Sequence, residues 1–301
     1  MMSTPTPTAK LTLEQISADI DQMPSVPDVI MRLSRMLEDP NVTAEELGNV
    51  IQLDTKLTAQ LLKISNSAYY GLNRKIMSMK EAVAILGMKA LKSLIYAILS
   101  SKMLMADLQG YGQLDGALWL NALTGATYAK HLAKYYSYPE PDTAFTASIL
   151  RDLGKIVLNN HVQVGFEAIE AEAMEKRIGF QQAEEAILGF SHMQLGEHIA
   201  IKWKFPERLV NTIRYHHTPS DAPKDMSKND KLLLAIVHLS DGLSMMMGAG
   251  VGSDGLMYPM DITYLNECGI ETDAKSVEAL IDFTMDLESE IKILADSIKH
   301  K

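Results

Sequence analysis

The sequence predicts an all-α protein, and three observations carry that expectation. Apolar residues recur every three or four positions in segment after segment, and no segment alternates apolar with polar residues as a half-buried strand would. The segments open on Ser, Thr or Asp capping signals and close on Gly or Pro. Methionine is abundant, at 19 residues, while Phe, Trp and Tyr make up only 6% of the chain, a balance that suits helix packing better than β structure.

In chain order, residues 1–15 read as a flexible tail, because Met1–Lys10 is rich in Thr and Pro without the apolar core of a signal peptide. Pro24 and Pro27 precede an amphipathic helix over Asp28–Leu37, with Val29, Ile30, Leu33 and Met36 on one stripe. Thr43 and Glu46 form a capping box that opens a second helix, and Leu57–Ile64 repeats its pattern. Ser78 and Glu81 open a short helix that breaks at Gly87. Leu91, Leu94, Ile95 and Ile98 then mark a longer one running to about Leu108. Gly110-Tyr111-Gly112 ends it and is the expected boundary between an N-terminal helical lobe, residues 16–110, and a second helical lobe, residues 111–250.

The second lobe is expected to begin with a helix from Leu118 to Tyr136. Pro139 and Pro141 separate it from the next, for which Asp142 is the expected N-cap. Ala147–His161 reads as one helix, since Ile149, Leu150, Leu153, Ile156 and Val157 share a face, with Asp152 and Lys155 on or beside its edge. Gly154 inside that helix costs roughly 1 kcal/mol relative to alanine, which points to the close approach of another helix or a ligand. Gly165–Gly179, Gln181–Gly189, Ser191–Lys204 and Glu207–His217 read as further helices, followed by a polar loop over Thr218–Asp230 and a helix over Leu232–Met247. Residues 251–301 are expected to hold the rest of a glycine-rich loop, Gly248–Gly255, and one last amphipathic helix from about Asp273 to Ser297 packed on the body.

Composition narrows the function classes. The single cysteine, Cys268, excludes an intramolecular disulfide and a cysteine-based zinc cluster, and fits a reducing, cytoplasmic setting. The most membrane-like stretch, Leu232–Val251, contains His238 and Asp241 and reads as a buried core helix. A net charge of −10 disfavours general nucleic-acid binding, although Thr55–Lys102 holds eight Lys/Arg and one acidic residue. Thr43–Ser65 has the length of a helix-turn-helix, so DNA binding is a second alternative; Leu57, Leu61, Leu62 and Ile64 leave little polar face for reading bases. No nucleophilic triad is apparent around Cys268 or Ser191.

The chemistry gathers around Asp152. His192 begins one helix, His216 and His217 end another, and His238 and Asp241 lie one turn apart on a third. Imidazoles and carboxylates delivered from separate helices suit Fe, Mn, Zn or Ni. A lone histidine at a helix end that caps carbonyls, or a lone aspartate that is hydrogen-bonded, is the structural alternative for each residue taken singly.

The order of several passages resembles the HD superfamily of metal-dependent phosphohydrolases, and specifically its HDOD branch of bacterial signalling-associated proteins. In the N-terminal lobe these are Met23-Pro24-Ser25-Val26-Pro27, Leu37-Glu38-Asp39-Pro40, Asn66-Ser67-Ala68-Tyr69-Tyr70-Gly71 and Ala82–Gly87. In the second they are Leu150–Lys155, His192–Gly196, Trp203-Lys204-Phe205-Pro206-Glu207 and Ile213-Arg214-Tyr215-His216-His217. The likeness implies an HD-like multi-helix domain preceded by an N-terminal helical lobe. It carries over as candidate metal positions Asp152, His192, His216 or His217, and Asp241, with Lys155 as the lysine that follows the His-Asp pair of the catalytic relatives.

Two positions depart from that pattern. Arg151 stands where the catalytic relatives have the histidine of the pair, and Asn121 stands where they have an earlier histidine. A guanidinium repels a divalent cation and is suited to pair with Asp152 or a neighbouring carboxylate. The resemblance and its departures together imply a regulatory protein that works by binding a signalling partner, or a small anionic or nucleotide ligand, and not by turnover. Its metal site is then vestigial, with no cofactor required and a divalent ion as the alternative. A phosphohydrolase using a reduced ligand set is the first alternative function.

Overall fold

The computed structural model of the chain describes residues 41–104, 116–250 and 258–298, with the isolated positions Lys10, Thr12, Gln15, Leu33, Met36 and Asp39 before them. The expected tail, most of the Asp28–Leu37 helix, the Gly110–Gly112 boundary and the centre of the glycine-rich loop lie outside the described residues. Among the described residues there are fourteen α-helices and no strand.

The first four helices are α1 (Ala44–Ile51), α2 (Thr55–Ser65), α3 (Met79–Leu86) and α4 (Met88–Leu104). Their starts follow the sequence signals. Thr43 and Glu46 cap each other's backbone N–H at the head of α1. Asp54 accepts from the N–H groups of Lys56 and Leu57 at 3.0 Å, and Ser78 accepts from Glu81 N–H at 3.2 Å. Gly87, at φ +81°, adopts the left-handed conformation that separates α3 from α4.

Next come α5 (Ala117–Tyr135), α6 (Pro141–Leu150), α7 (Leu153–Lys176), α8 (Phe180–Leu188), α9 (His192–Lys202), α10 (Glu207–Tyr215) and α11 (Lys228–Met246). The N-cap of α6 is Glu140 and not Asp142, which lies inside the first turn behind Pro141 at the proline-favoured first position. The stretch Ala147–His161 is two helices, not one. Arg151 and Asp152 form a turn between α6 and α7, and Asp152 is the N-cap of α7. Both residues keep a helix-like or nearby backbone, at φ −55°, ψ −37° and φ −96°, ψ 16°, so the apolar periodicity runs on through the kink and hides it. Gly165 does not divide α7, because packing of its buried faces outweighs the small propensity loss.

The last segment contains α12 (Ile262–Glu267), which the sequence reading did not contain, and α13 (Ala274–Met285) and α14 (Glu288–Ile298) in place of the single final helix. Neither glycine nor proline marks the break between α13 and α14, which is closed by a Leu287 N–H to Thr284 carbonyl bond of 3.1 Å. α14 packs against α2 and α5, and its Ile291, Leu294, Ala295 and Ile298 are buried.

The main core is continuous from Leu47 in α1 to Ile298 in α14. A smaller cluster joins α7, α8 and α9 through Leu158, Val162, Phe180, Leu195 and Ile199, and includes Tyr258. Gly154 is where α7 meets α9. A Cβ there would lie 1.8 Å from the His192 carbonyl oxygen and 2.7 Å from Gly196 N, so only glycine permits the crossing. That crossing brings the head of α9 to the Arg151–Asp152 turn. Among the described residues no helix is long and apolar enough to cross a membrane.

Candidate functional site

The kink between α6 and α7 aims Asp152 into the interior, toward the head of α9 and the turn after α10. α10 stops at Tyr215, two residues earlier than expected, so His216 and His217 occupy the turn that follows. Asp152, His192, His216 and His217 are all buried, and one ligand atom from each lies within 4.8 Å of the others. His192 Nε2 is 3.8 Å and His216 Nε2 3.9 Å from Asp152 Oδ1.

The outer ring nitrogens explain how these imidazoles are held. His192 Nδ1 lies 2.7 Å from Glu184 Oε2, which also accepts the His192 backbone N–H at 2.9 Å. His216 Nδ1 lies 2.9 Å from the Ile213 carbonyl oxygen. The Ile213 carbonyl can only accept, so His216 Nδ1 carries the hydrogen and its Nε2 presents a lone pair. His217 Nδ1 faces Asp241 Oδ2 at 3.5 Å. The inward atoms Asp152 Oδ1, His192 Nε2, His216 Nε2 and His217 Nε2 are all buried and have no hydrogen-bond partner among the described residues. Lys155 Nζ does make an ion-pair contact with Asp152 Oδ1, at 3.3 Å.

Four converging buried polar atoms, of which Lys155 meets Asp152 Oδ1, would cost several kcal/mol if nothing compensated the rest. One divalent cation would satisfy all four, and the set of three imidazoles and one carboxylate is chemically suited to Fe, Mn, Zn or Ni. Burial pushes His216 and His217 well below the ordinary histidine value, so both are neutral at pH 7. Burial opposes ionisation of Asp152, but the Lys155 ammonium and the Arg151 guanidinium outweigh it and hold the carboxyl well below the usual carboxylate range. The protonation states therefore also fit a cation.

The other half of the cleft is occupied by Arg151. Its guanidinium is fully buried and contacts Asp241 Oδ1 through Nε at 2.8 Å and Nη2 at 2.7 Å. Nε also lies 3.2 Å from Asp152 Oδ2, and Nη1 donates to the Ser148 carbonyl at 2.8 Å. Nη2 donates to Asn121 Oδ1, and the Asn121 amide donates in turn to Ser244 Oγ at 3.2 Å and the Ala249 carbonyl at 3.0 Å. Gly125 on α5 makes room, since a Cβ there would lie 2.7 Å from Arg151 Nη1. Burial pushes the Asp241 carboxyl up, and the arginine contacts oppose that shift.

Asp241 therefore stands outside the four-residue group and serves as the counter-ion of Arg151. His238 shares its face of α11 but is engaged at both nitrogens. Nδ1 donates to the His216 carbonyl at 2.7 Å, and Nε2 accepts the Asp261 N–H at 2.8 Å. It fixes the turn that carries His216.

Two residues at the centre were not among the sequence candidates. Glu184 is fully buried on the apolar face of α8 with Phe180, Ala183 and Leu188. A carboxylate on an apolar stripe is the signal that would have found it. Tyr258 stacks on His217 with ring centroids 3.8 Å apart and an interplanar angle of 6°, and Lys155 Nζ lies 5.3 Å from the centre of its ring.

An all-α, HD-like fold with an Asp/His cluster at the junction of four helices defines the broad class. The chain belongs to the HDOD domain family, whose model matches residues 23–219. It is 29% identical over 226 residues to an uncharacterised protein of Treponema pallidum (strain Nichols), a match covering 73% of this chain and 42% of that relative. The chain thus spans less than half the length of the curated relative it matches. The fold is shared with an HDOD domain protein of unknown function from Geobacter sulfurreducens, at TM-score 0.71, 24% identity, and 96% and 97% coverage of the two chains. It is also shared with a candidate phosphohydrolase of Shewanella amazonensis SB2B, at TM-score 0.69, 21% identity, and 95% and 98% coverage. A candidate signal transduction protein of Marinobacter aquaeolei VT8 superposes at TM-score 0.72 and 20% identity, with 95% of this chain and 65% of that one covered.

Proposed function

We propose that this chain is a regulatory HDOD protein that acts by binding a signalling partner, or a small anionic or nucleotide ligand, and that its centre does not turn over substrate. The observation that carries the reading is Arg151. Its guanidinium lies against both Asp152 and Asp241, where the resemblance to catalytic HD proteins places a metal-binding histidine. Paired-metal hydrolysis needs two cations to activate water and stabilise the leaving oxygen. A guanidinium supplies charge and hydrogen-bond donors, but it has no coordination position for water and stays protonated.

Asp152, His192, His216 and His217 would hold one divalent ion. When bound, that ion supplies a single Lewis-acid centre, and its coordination ties together the α6–α7 turn, the head of α9 and the turn after α10. Glu184 orients His192 for it, and Lys155 offsets the charge of Asp152. A well-held junction of this kind suits a scaffold whose output is a binding surface.

Elemental analysis of the purified protein, paired with hydrolysis assays after loading with Mn or Fe, tests the proposal. The expected result is at most one metal per chain and background rates on cyclic dinucleotides and phosphomonoesters. Appreciable turnover that disappears in Asp152→Ala would establish the phosphohydrolase reading in its place.

A further inference from the structure

Three aromatic rings meet where the end of α5 faces α13, far along the chain from the Asp/His cluster. Tyr135, the last residue of α5, and Tyr136 stand edge to face with ring centroids 5.0 Å apart, and Phe283 of α13 tilts against Tyr135 at 6.1 Å. Tyr136 and Phe283 pack on the main core, whereas Tyr135 is 65% exposed. A single exposed ring is ordinary, but aromatic residues are only 6% of this chain and three of them line one groove. The groove has a volume of about 410 Å³, inside the range of about 300–1,000 Å³ typical of ligand sites.

Carboxylates line the same groove. Gly269, at φ +80°, turns the chain out of α12, and the residues that follow bring Glu271 and Asp273 to the rings. Asp273 is fixed as the N-cap of α13, accepting the Lys275 and Ser276 N–H groups at 3.0 and 3.2 Å, and Glu271 Oε2 lies 3.5 Å from Ser276 Oγ. Burial, Tyr135 and Glu271 together push the Tyr136 hydroxyl above the ordinary tyrosine value, which sets the Glu271 carboxylate beside the ring pair. Lys275 is the one cation of the lining among the described residues. It is also the one basic residue from Asp261 to Glu290, a stretch with nine acidic residues.

The faces of the rings and the carboxylates both attract a cation, and they repel an anion. A guanidinium serves both at once, because it stacks on an aromatic face while its N–H fork donates to a carboxylate. We propose that this groove is the docking site for an arginine-bearing segment of a partner protein, with Tyr135 as the stacking ring and Glu271 as the counter-ion. The inference rests on the proposed reading of the chain as a partner-binding protein and names where and what it binds. A second copy of the chain is the poorer fit, since its basic stretch Thr55–Lys102 offers seven lysines and one arginine, Arg74.

Fluorescence anisotropy of a labelled Gly-Arg-Gly-Arg-Gly peptide, titrated at low salt with the full chain, tests it beside the same peptide carrying lysine or citrulline. Citrulline keeps the shape of arginine and removes its charge. The expected order is arginine, then lysine, with no saturable binding of the citrulline peptide. Tyr135 and Glu271 are exposed, so Tyr135→Ala and Glu271→Gln leave the fold in place, and each should weaken the arginine peptide about two- to fivefold. Glu278→Gln, at an exposed position of α13 outside the groove, should leave it unchanged.

No saturable binding of the arginine peptide, or a lysine or citrulline peptide bound as tightly, would overturn the proposal. So would an equal loss in Glu278→Gln and Glu271→Gln, which would reduce the effect to the general negative field of the segment. Sedimentation without peptide covers the remaining occupant: self-association that Tyr135→Ala abolishes gives the groove to a second copy and rejects the partner. Hydrolysis assays on the same preparation keep the two readings apart. Turnover lost in Asp152→Ala removes the regulatory reading whatever the peptide does, and absent peptide binding beside background turnover removes the groove alone.

Discussion

The two halves of the cleft share the α6–α7 turn and solve opposite electrostatic problems with different partners, α9 and the turn after α10 on one side, α5 and α11 on the other. On one side, Asp152, His192, His216 and His217 converge with four buried inward atoms that have no hydrogen-bond partner among the described residues, Lys155 making an ion-pair contact with one of them. On the other, Arg151, Asp241, Asn121 and Ser148 form a hydrogen-bonded set in which the protein supplies its own cation. A cleft that carries its own cation on one side needs no ion there for folding. The side without one keeps a donor set chemically suited to a single divalent ion.

The largest expected effect comes from breaking the filled half. In Arg151→Ala, Asp241 becomes a buried carboxylate without its counter-ion and Asn121 Oδ1 loses its donor. Removing one member of a buried ion pair destabilises by about 3–5 kcal/mol. Denaturant unfolding should show a loss of that size, partly recovered in Arg151→Ala/Asp241→Asn, where the uncompensated charge is also gone. A loss below about 1 kcal/mol would mean that the pair is not what holds this side of the cleft.

Acid should act on the other half. His216, His217 and His238 have folded values pushed below the ordinary 6.5 by burial. Below pH 6.5 the unfolded chain therefore takes up protons that the folded chain does not, and stability falls as pH falls. Each such histidine contributes up to about 1.4 kcal/mol per pH unit until its own folded value is reached. Asp152, held low, is stabilising above about 3.8 and loses its contribution only as pH falls below that. Unfolding free energies from pH 7 to 4.5 should thus drop with a slope set by the histidines. A flat profile over that range would show that these rings are not buried as neutral bases.

The sequence made much of this legible, and the parts it hid share a physical cause. The capping signals at Thr43 and Ser78 are read from neighbours three residues apart, and both residues serve as N-caps. Gly154 signalled a close approach, which is the crossing of α7 and α9. His192, His216 and His217 could be placed near helix ends, whereas Asp152 was read inside a single helix and joined to them through the resemblance to the HD superfamily. By contrast, the α6–α7 kink was invisible because Arg151 and Asp152 stay close to helical backbone angles, so the apolar stripe continues across them. The α13–α14 break lacks a Gly or Pro marker for a similar reason. Tyr258 could not have been found, since its stack on His217 spans 41 positions and follows a loop whose composition says nothing about where it returns.

A smaller effect, and the sharpest test of the contrast between the halves, comes from Glu184→Gln. The substitution keeps the size of the side chain and an oxygen able to accept the His192 backbone N–H, but removes the charge that polarises the ring. Outer partners of ligating histidines typically contribute 10–100-fold in metal affinity, about 1.4–2.7 kcal/mol. Competition titration with a chromogenic chelator should show that loss, while urea unfolding of the metal-free protein shifts by less than in Arg151→Ala. The asymmetry is the point of the experiment, because one half of the cleft is expected to register in binding and the other in folding. Equal losses of metal-free stability in the two variants would mean that Glu184 and His192 serve as a structural pair and that the donor half is as much a part of the core as the arginine.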